Sequence, residues 1–270
     1  MSQPFSAWQR GLRQPNLLVG MLLSSCLLLC ALLSLIWTPW DPYAMNMDAK
    51  LLLPDSQHWL GTDAFGRDVL SQLMVGARSS IAVGVIAVGI GLVFGVALGL
   101  LASALRGWVE AVIMRLSDFT FAFPAILLAI MMTAVFGPSM VNAIIAIGIF
   151  NIPTFARITR ASANAIWTRE YITAARACGK NRFSITFQHV LPNIMGVLIV
   201  QATIQFALAI LAEAALSYLG LGTQPPQPSW GRMLSDAQTL MFQAPLLAIF
   251  PGVAIALSVL GLNLLGDGLR

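Results

Sequence analysis

The sequence predicts an all-α, polytopic membrane protein with six transmembrane helices, and two observations support that prediction. Of the 270 residues, 58% are hydrophobic and only 10% are charged, and the mean hydropathy is +0.81. Soluble domains carry about a quarter charged residues, so this chain has too few charges to cover a water-facing globule of 29.0 kDa. The apolar residues also form runs of roughly 20, the length that spans a bilayer core.

Six apolar runs are long enough, or nearly so, to cross a bilayer. They cover Leu17–Trp37, Ile81–Ala104, Phe119–Phe136, Val141–Phe155, Ile194–Leu219 and Ala244–Leu265. The first run follows Arg10 and Arg13, as the core of a signal peptide would. However, it is longer than a typical signal core, and no small-residue cleavage site follows it. We therefore expect an uncleaved first helix.

The loops between these runs differ in their Lys and Arg content, which sets the orientation of a membrane protein. With the N-terminus inside, the cytoplasmic side carries Arg10, Arg13, Arg106, Arg115, Arg157, Arg160, Arg169, Arg176, Lys180, Arg182 and Arg270. The external side carries only Lys50, Arg67, Arg78 and Arg232. We therefore predict that both termini are cytoplasmic. The net charge of +4 then reflects topology, and no nucleic-acid partner is expected.

The predicted spans divide the chain into two parts. Residues 1–80 are expected to hold an N-terminal tail, the first membrane helix and an external segment. Residues 81–270 are expected to form a five-helix core with a cytoplasmic loop over residues 159–192. No internal repeat is evident, although such repeats are common in secondary transporters.

The cytoplasmic loop contains a short helix with one face of mostly small side chains. Tyr171, Ala174, Ala175 and Cys178 recur at helical spacing, and Gly179 then occupies a position where glycine commonly ends a helix. Charged flanking residues keep such a helix out of lipid. It either docks into a groove of another protein or serves as a solvated connector.

A second short helix is expected over residues 181–190, after which the chain enters the fifth span. Pro192 is expected to redirect the chain there, because the residue before a proline is biased away from helical geometry.

The spacing in this loop resembles the EAA loop of permease subunits of binding-protein-dependent ABC importers. That motif reads Glu-Ala-Ala, three residues, Gly, nine residues, Ile, one residue, Leu-Pro. The matching positions here are Ala174, Ala175, Gly179, Leu191 and Pro192. Thr173 replaces the family's Glu and His189 replaces its Ile. The ending His-Val-Leu-Pro-Asn is similar to the branch that imports dipeptides, oligopeptides and nickel.

Three more segments resemble the same branch. They are residues 58–69 with 76–78, residues 216–231 and residues 266–270. Met1–Asn16 does not contribute. In the first two segments Gly61 and Asp63 favour turns, and the rings of Trp59, Phe65 and Trp230 suit the headgroup level. We interpret them as an external platform for a solute-binding protein or as an interfacial anchor.

The resemblance implies a type I ABC permease fold in the bacterial cytoplasmic (inner) membrane. It implies four kinds of contact: a second homologous permease subunit, two ABC ATPase subunits, an extracytoplasmic solute-binding protein and the lipid bilayer. The loop helix would be a coupling helix seated in an ATPase. The coupling residues would be Tyr171, Ala174, Ala175, Cys178, Gly179, Leu191 and Pro192. ATP and magnesium would bind the ATPases, so no cofactor and no catalytic residue is expected in this chain.

Glu213 lies well inside the fifth predicted span. A carboxyl group there is expected to face the bundle interior or a water-filled path. It either lines the substrate route or closes an interhelical hydrogen bond near the outer gate. Gln201 and Gln205, one turn apart on the same span, are weaker candidates for the path, and polar packing explains them equally well. Asp118 and Asp267, at span edges, are expected to be structural.

Other functional classes fit the sequence less well. An intramembrane hydrolase needs a histidine at membrane depth, but His58 and His189 fall in loops, and no HExxH motif occurs. No phosphate-binding GxxxxGK[ST] loop occurs either, so ATP must be used by another chain. A secondary transporter would be expected to carry paired ionisable groups at the midplane.

The predicted cargo is a peptide or a related small solute. Glutathione, or nickel or another metal carried as a chelate, remains the alternative. No His, Cys or Asp cluster at membrane depth indicates a site for a naked metal ion.

Overall fold

The computed structural model describes residues 14–269, apart from the side chain of Ala125. Within this range all regular elements are helical, which confirms the all-α class for the described residues. The α-helices are α1 (Pro15–Leu33), α2 (Val69–Leu105), α3 (Gly107–Ala122), α4 (Ala125–Phe136), α5 (Met140–Trp167), α6 (Glu170–Ala177), α7 (Arg182–Ile185), α8 (Leu191–Tyr218), α9 (Trp230–Ala237) and α10 (Leu246–Leu269). Arg10, Arg13 and Arg270, which enter the predicted topology, lie outside the described residues.

Five helical segments of the described chain are long and apolar enough to cross a membrane. They are α1, α2, α5, the continuous helix from α7 through α8, and α10. The pair α3 and α4 makes a sixth if it is counted as one span, and the two helices meet at a bend of 82°. This bend falls within the predicted run Phe119–Phe136. Phe123 is extended there, and Pro124 has no amide hydrogen to continue the helix.

Two membrane helices extend well beyond their predicted bounds. α2 begins at Val69 rather than at Ile81, and Asp68 caps it by accepting a hydrogen bond from the Ser71 amide at 2.8 Å. α5 continues past Phe155 to Trp167. At 1.5 Å per residue α2 is roughly 55 Å long, whereas the hydrocarbon core is about 30 Å thick. Hydropathy marks only the lipid-crossing part of such helices, so it underestimated their length.

α2 is the central helix of the bundle and packs most extensively along α5. Gly91, Gly95 and Gly99 line this contact at intervals of four residues. A methyl group added at Gly95 would lie 2.5 Å from the Ile152 carbonyl oxygen, and one at Gly99 would lie 2.6 Å from the Ala156 carbonyl oxygen. The two backbones are therefore in direct contact, as in other membrane helix pairs that pack through small residues.

Ion pairs join α3 to α5. The Arg160 guanidinium lies 2.8 Å from the Glu110 carboxylate, and Arg157 pairs with Asp118. Both pairs are partly exposed, so they orient the helices more than they stabilise them. The pairing of Asp118 agrees with the structural role expected for it.

Candidate functional site

α6 is held against the bundle by one large side chain. Ile172 is completely buried, and Ala175 is partly buried against the apolar core. Tyr171, Ala174 and Cys178 are exposed. The predicted small-residue face is therefore divided, because Ala175 packs inward and the other three do not. Sequence reasoning missed Ile172, although it is the one large aliphatic residue in this short helix.

A second contact fixes the far end of α6. The Arg176 guanidinium lies 5.1 Å from the centre of the Trp167 ring, and Trp167 is buried at the end of α5. Glu170 and Arg176 also place an acid in the first turn and a base in the last, which complements the helix dipole. The helix is thus firmly attached on one side and open on the other.

Gly179 ends α6 in a left-handed conformation. Its φ is +81°, and its amide donates to the Arg176 carbonyl at 2.9 Å, while the Lys180 amide donates to the Ala175 carbonyl at 3.1 Å. This pair of bonds is the Schellman arrangement, which favours glycine at this position. A side chain at Gly179 would meet no atom within 4 Å, so only the backbone conformation restricts the residue.

The chain then returns to the membrane as one continuous helix. The Asn181 side chain caps α7 by accepting from the Ser184 amide at 2.7 Å. Thr186–Val190 form a π-helical turn, in which the Leu191 amide donates to the Thr186 carbonyl. Helical geometry runs on through Pro192. The prediction that Pro192 redirects the chain is therefore wrong, because the widened turn accommodates the missing amide hydrogen.

Beside the open face of α6 lies a cleft of about 930 Å³. It is lined by the end of α5, by Arg169, Glu170 and Tyr171, and by Asn193 of α8. The Tyr171 ring meets His189 edge to face, with 6.3 Å between ring centres. The cleft and the exposed side of α6 form one surface of this chain, which we call the coupling surface after the role that the sequence predicts for it.

Glu213 is completely buried on α8. Its Oε1 accepts hydrogen bonds from the Ser217 hydroxyl at 2.6 Å and from the Thr223 hydroxyl at 3.2 Å. The Thr223 amide also donates to the Ser217 hydroxyl at 2.9 Å. The carboxyl group thus ties the loop after α8 back onto that helix. Sequence reasoning missed Ser217 and Thr223 as its partners.

Gln205 is buried and does not face open space. Its amide donates to the Asn151 side-chain oxygen of α5 at 3.0 Å, and the Asn151 amide reaches the Ala87 carbonyl of α2 at 3.4 Å. These side chains therefore connect α8, α5 and α2. Gln201 is half-buried, and the structure does not bring it together with Glu213 or Gln205 through hydrogen bonds of the described residues.

A set of charged residues joins the segment before α2 to α9. Arg67 lies 2.7 Å from the Asp63 carboxylate and 4.0 Å from that of Asp236, which also pairs with Arg232 at 3.0 Å. Burial raises the pKa of Asp236, and the two arginines oppose that rise. We call these four residues the external charge cluster.

The aromatic residues near this cluster behave in two ways. Trp59 is 61% exposed and Phe65 is 41% exposed, which fits rings at an interface. Trp230 was expected to do the same, but it is buried, and its ring N–H donates to the Leu73 carbonyl at 3.0 Å. That prediction is wrong because the loop after α8 folds inward and packs α9 against α2.

Among residues 14–269 no group of three or more His, Cys, Asp or Glu side chains could hold a metal ion. Three features of the described chain remain as candidates for a functional role: the coupling surface, the buried carboxyl group of Glu213 and the external charge cluster.

Comparison with known proteins identifies the family. The family described as "Binding-protein-dependent transport system inner membrane component" matches residues 70–270. The chain belongs to this family. It is thus an inner-membrane permease subunit of an ABC importer, and its system includes a binding protein and an ATPase.

Full-length relatives place the permease more closely. It is 43% identical to the dipeptide transport system permease protein DppC of Alkalihalophilus pseudofirmus, over 98% of this chain and 88% of that relative. It is 42% identical to the glutathione transport system permease protein GsiD of Pectobacterium atrosepticum, over 97% of this chain and 88% of that relative. It is also 42% identical to the di/tripeptide transport system permease protein DppC of Pseudomonas aeruginosa, over 97% of this chain and 89% of that relative.

Solved structures agree on the fold. The permease resembles a chain of the inward-facing MetNI methionine ABC transporter with a TM-score of 0.63. The match covers 73% of this chain and 93% of that chain, at 19% sequence identity. At this identity the similarity shows the ABC importer permease fold and nothing about cargo.

Proposed function

We propose that this permease imports short peptides. The observation that supports this most strongly is the similarity over nearly the whole chain to permeases named for dipeptides and di/tripeptides. Glutathione is the second candidate, because a relative named for it is similar to nearly the same degree. Glutathione is itself a small peptide, so one path could suit both. Nickel or another chelated metal has no comparable support among these relatives.

The proposed topology has six spans, with α3 and α4 together forming the third and with both termini in the cytoplasm. The positive-inside distribution of Arg and Lys supports this arrangement. It places α6 on the cytoplasmic side, and α9 with the segment before α2 on the external side. A second homologous permease subunit completes the path, and two ATPases and one binding protein complete the importer.

The coupling surface is proposed to seat α6 in a cleft of an ATPase. Ile172 and Arg176 fix the helix to the bundle, while Tyr171, Ala174 and Cys178 stay exposed. A rigidly attached helix transmits a displacement of its partner to the helices behind it. Closure of the ATPases would thereby switch the bundle between inward-open and outward-open states. The chain itself would make no covalent bond and would hold no ATP, magnesium or other cofactor.

Glu213 and Gln205 are proposed to stabilise the bundle rather than line the path. Both side chains are buried, and both form hydrogen bonds within this chain. Gln201 is less buried and remains a candidate for the path wall.

Uptake measurements test the proposed cargo. Cells that lack this chain are compared with cells that carry it on a plasmid, and the uptake of a labelled dipeptide is measured. We expect uptake only with the chain present, and we expect unlabelled dipeptide to compete. Competition by glutathione would indicate a shared path. Unchanged dipeptide uptake without the chain, together with lost uptake of glutathione or of a nickel chelate, would contradict the peptide assignment.

A further inference from the structure

An apolar groove runs between α2 and α8 within their membrane-spanning lengths. One part has a volume of about 520 Å³ and is lined along α2 from Val88 to Leu100, along α8 from Leu191 to Phe206, and by Phe187. That volume lies within the range of about 300–1,000 Å³ typical of ligand sites. A second part of about 390 Å³ shares Ala97, Leu100 and Phe187 with the first, so the two parts adjoin, and we call them together the α2–α8 groove.

Apart from Arg182 at one end, the described residues that line this groove offer a peptide no free hydrogen-bond donor. Its two hydroxyl groups are already bonded within their own helices. The Thr203 hydroxyl donates to the Val200 carbonyl at 2.8 Å, and the Thr186 hydroxyl donates to the Arg182 carbonyl at 2.8 Å. A peptide backbone placed here would lose its hydrogen bonds to water without replacement. The groove is therefore suited to a hydrocarbon chain and is a poor candidate for the cargo path.

Among the described residues, Arg182 is the only charged residue that lines the groove, and it lies at one end. One of its N–H groups donates to the Ala104 carbonyl in the last turn of α2 at 2.8 Å. Arginine has five N–H donors in a planar fork, and the residue is otherwise exposed. Within the described chain no acidic side chain lines either part of the groove or lies within 4.0 Å of this guanidinium as an ion pair. The remaining guanidinium donors are therefore available to an anion.

The same end of the groove has the character of a membrane interface. Phe183 is 73% exposed and Phe187 is 49% exposed, and their ring centres are 4.6 Å apart. Trp108, just beyond the end of α2, is 77% exposed. Exposed tryptophan rings concentrate at the headgroup level, so Trp108 marks this end of the groove as interfacial. Arg182 therefore lies where a phosphate would sit, and the apolar groove extends from it toward the bilayer interior.

We propose that the α2–α8 groove binds an anionic phospholipid, with an acyl chain along the groove and the phosphate held by Arg182. Arginine binds phosphate through two parallel hydrogen bonds, and basic pockets between membrane helices favour acidic headgroups. The acyl chain lies along Ala97 and Leu100 and extends as far as Phe206. In the proposed topology this site lies in the cytoplasmic leaflet. Arg182 follows α6, the helix of the coupling surface, closely in the sequence.

Native mass spectrometry of the purified importer complex tests this site. The complex is stripped of lipid and then titrated with phosphatidylglycerol or with phosphatidylcholine of the same acyl chains. We expect the wild type to retain phosphatidylglycerol preferentially, and Arg182→Gln to weaken that binding roughly tenfold, because a charge-assisted hydrogen bond is lost. Arg115→Gln, which removes an exposed arginine outside the groove, should leave the preference intact. Arg182→Lys should restore part of it.

A second variant tests the groove apart from the charge. Ala97→Trp fills the groove where its two parts adjoin, so it should abolish the preferential site while Arg182 stays in place. Glycerol 1-phosphate, a headgroup without chains, should not compete. Equal retention of both lipids by the wild type, or an unchanged preference in Arg182→Gln, would overturn the proposal. The proposal would also be overturned if Ala97→Trp released the second permease subunit and left lipid binding unchanged. The groove would then be a subunit interface.

Discussion

Glu213 and Thr223 are both completely buried, and the Thr223 hydroxyl donates to Glu213 Oε1 at 3.2 Å. The two residues lie on either side of the turn at Gly220, which has a φ of +79°. Their contact makes the loop after α8 fold back onto the helix that precedes it. A buried carboxyl group thereby determines the position of α9, which carries two members of the external charge cluster.

The first prediction concerns this carboxyl group. Glu213→Gln keeps an acceptor oxygen for Ser217 and Thr223, so uptake and thermal stability should stay close to the wild type. Glu213→Leu leaves both hydroxyls without their acceptor, at a cost of about 1–3 kcal/mol for each buried group. Thermal unfolding of the purified complex measures this difference. Lost uptake in a stable Glu213→Gln variant would instead indicate that the charge lines the path.

The second prediction concerns Gln205 and Asn151, which connect α8 to α5. Replacing each with Leu, singly and together, should reveal a favourable coupling of about 0.6 kcal/mol, the average for membrane hydrogen bonds. Reversible denaturation of the four proteins gives the coupling energy. If the effects simply add, and Gln205→Leu stops uptake without loss of stability, then Gln205 acts in the path.

The third prediction concerns the close contact of α2 with α5. Gly95→Ala places a methyl group 2.5 Å from the Ile152 carbonyl oxygen, so the helices must separate. We expect a loss of about 1–3 kcal/mol, the usual cost of overpacking. Gly89→Ala is the matched control, because a methyl group there meets no atom within 4 Å. Equal stability of the two variants would contradict the packing described above.

The fourth prediction concerns orientation. Asp48 is exposed in the segment before α2, and Cys178 is exposed at the end of α6. In a variant whose only cysteine replaces Asp48, an impermeant thiol reagent should label intact cells. In a variant that retains only Cys178 and is expressed without the ATPase subunits, which would cover α6, the reagent should label cells only after permeabilisation. The reverse pattern would invert the proposed topology.

Hydropathy alone predicted the approximate positions of the apolar helices. Five helical segments of the described chain are long enough to cross a membrane, and the predicted sixth span requires α3 and α4 to be counted as one. Hydropathy did not predict where a helix extends beyond its apolar part or where a span breaks. Ser71, Gln72 and Arg78 lower the hydropathy of the first turns of α2, so the helix was predicted to begin too late. The break at Pro124 was not foreseeable from the proline alone, because Pro153 and Pro251 lie inside continuous helices.

The candidate sites were predictable to different degrees. Gly179 was predicted as a helix end from its position in the loop, and its positive φ agrees with that assignment. The partners of Glu213 were not predictable, because Thr223 reaches it only after the loop folds back. Pro192 misled the prediction, because a π-helical turn is a local adjustment that periodicity does not reveal. Ile172 could have been identified as the one large aliphatic residue of α6.

The coupling role of α6 is tested most directly at Gly179. In the assembled importer, ATP hydrolysis stimulated by the loaded binding protein is measured together with uptake. Valine at this position strains a left-handed backbone by roughly 1–2 kcal/mol, whereas asparagine tolerates it. We predict that Gly179→Val loses both stimulated hydrolysis and uptake, while Gly179→Asn keeps most of each. A Gly179→Val importer that assembles, hydrolyses ATP on demand and transports at the wild-type rate would contradict the coupling role.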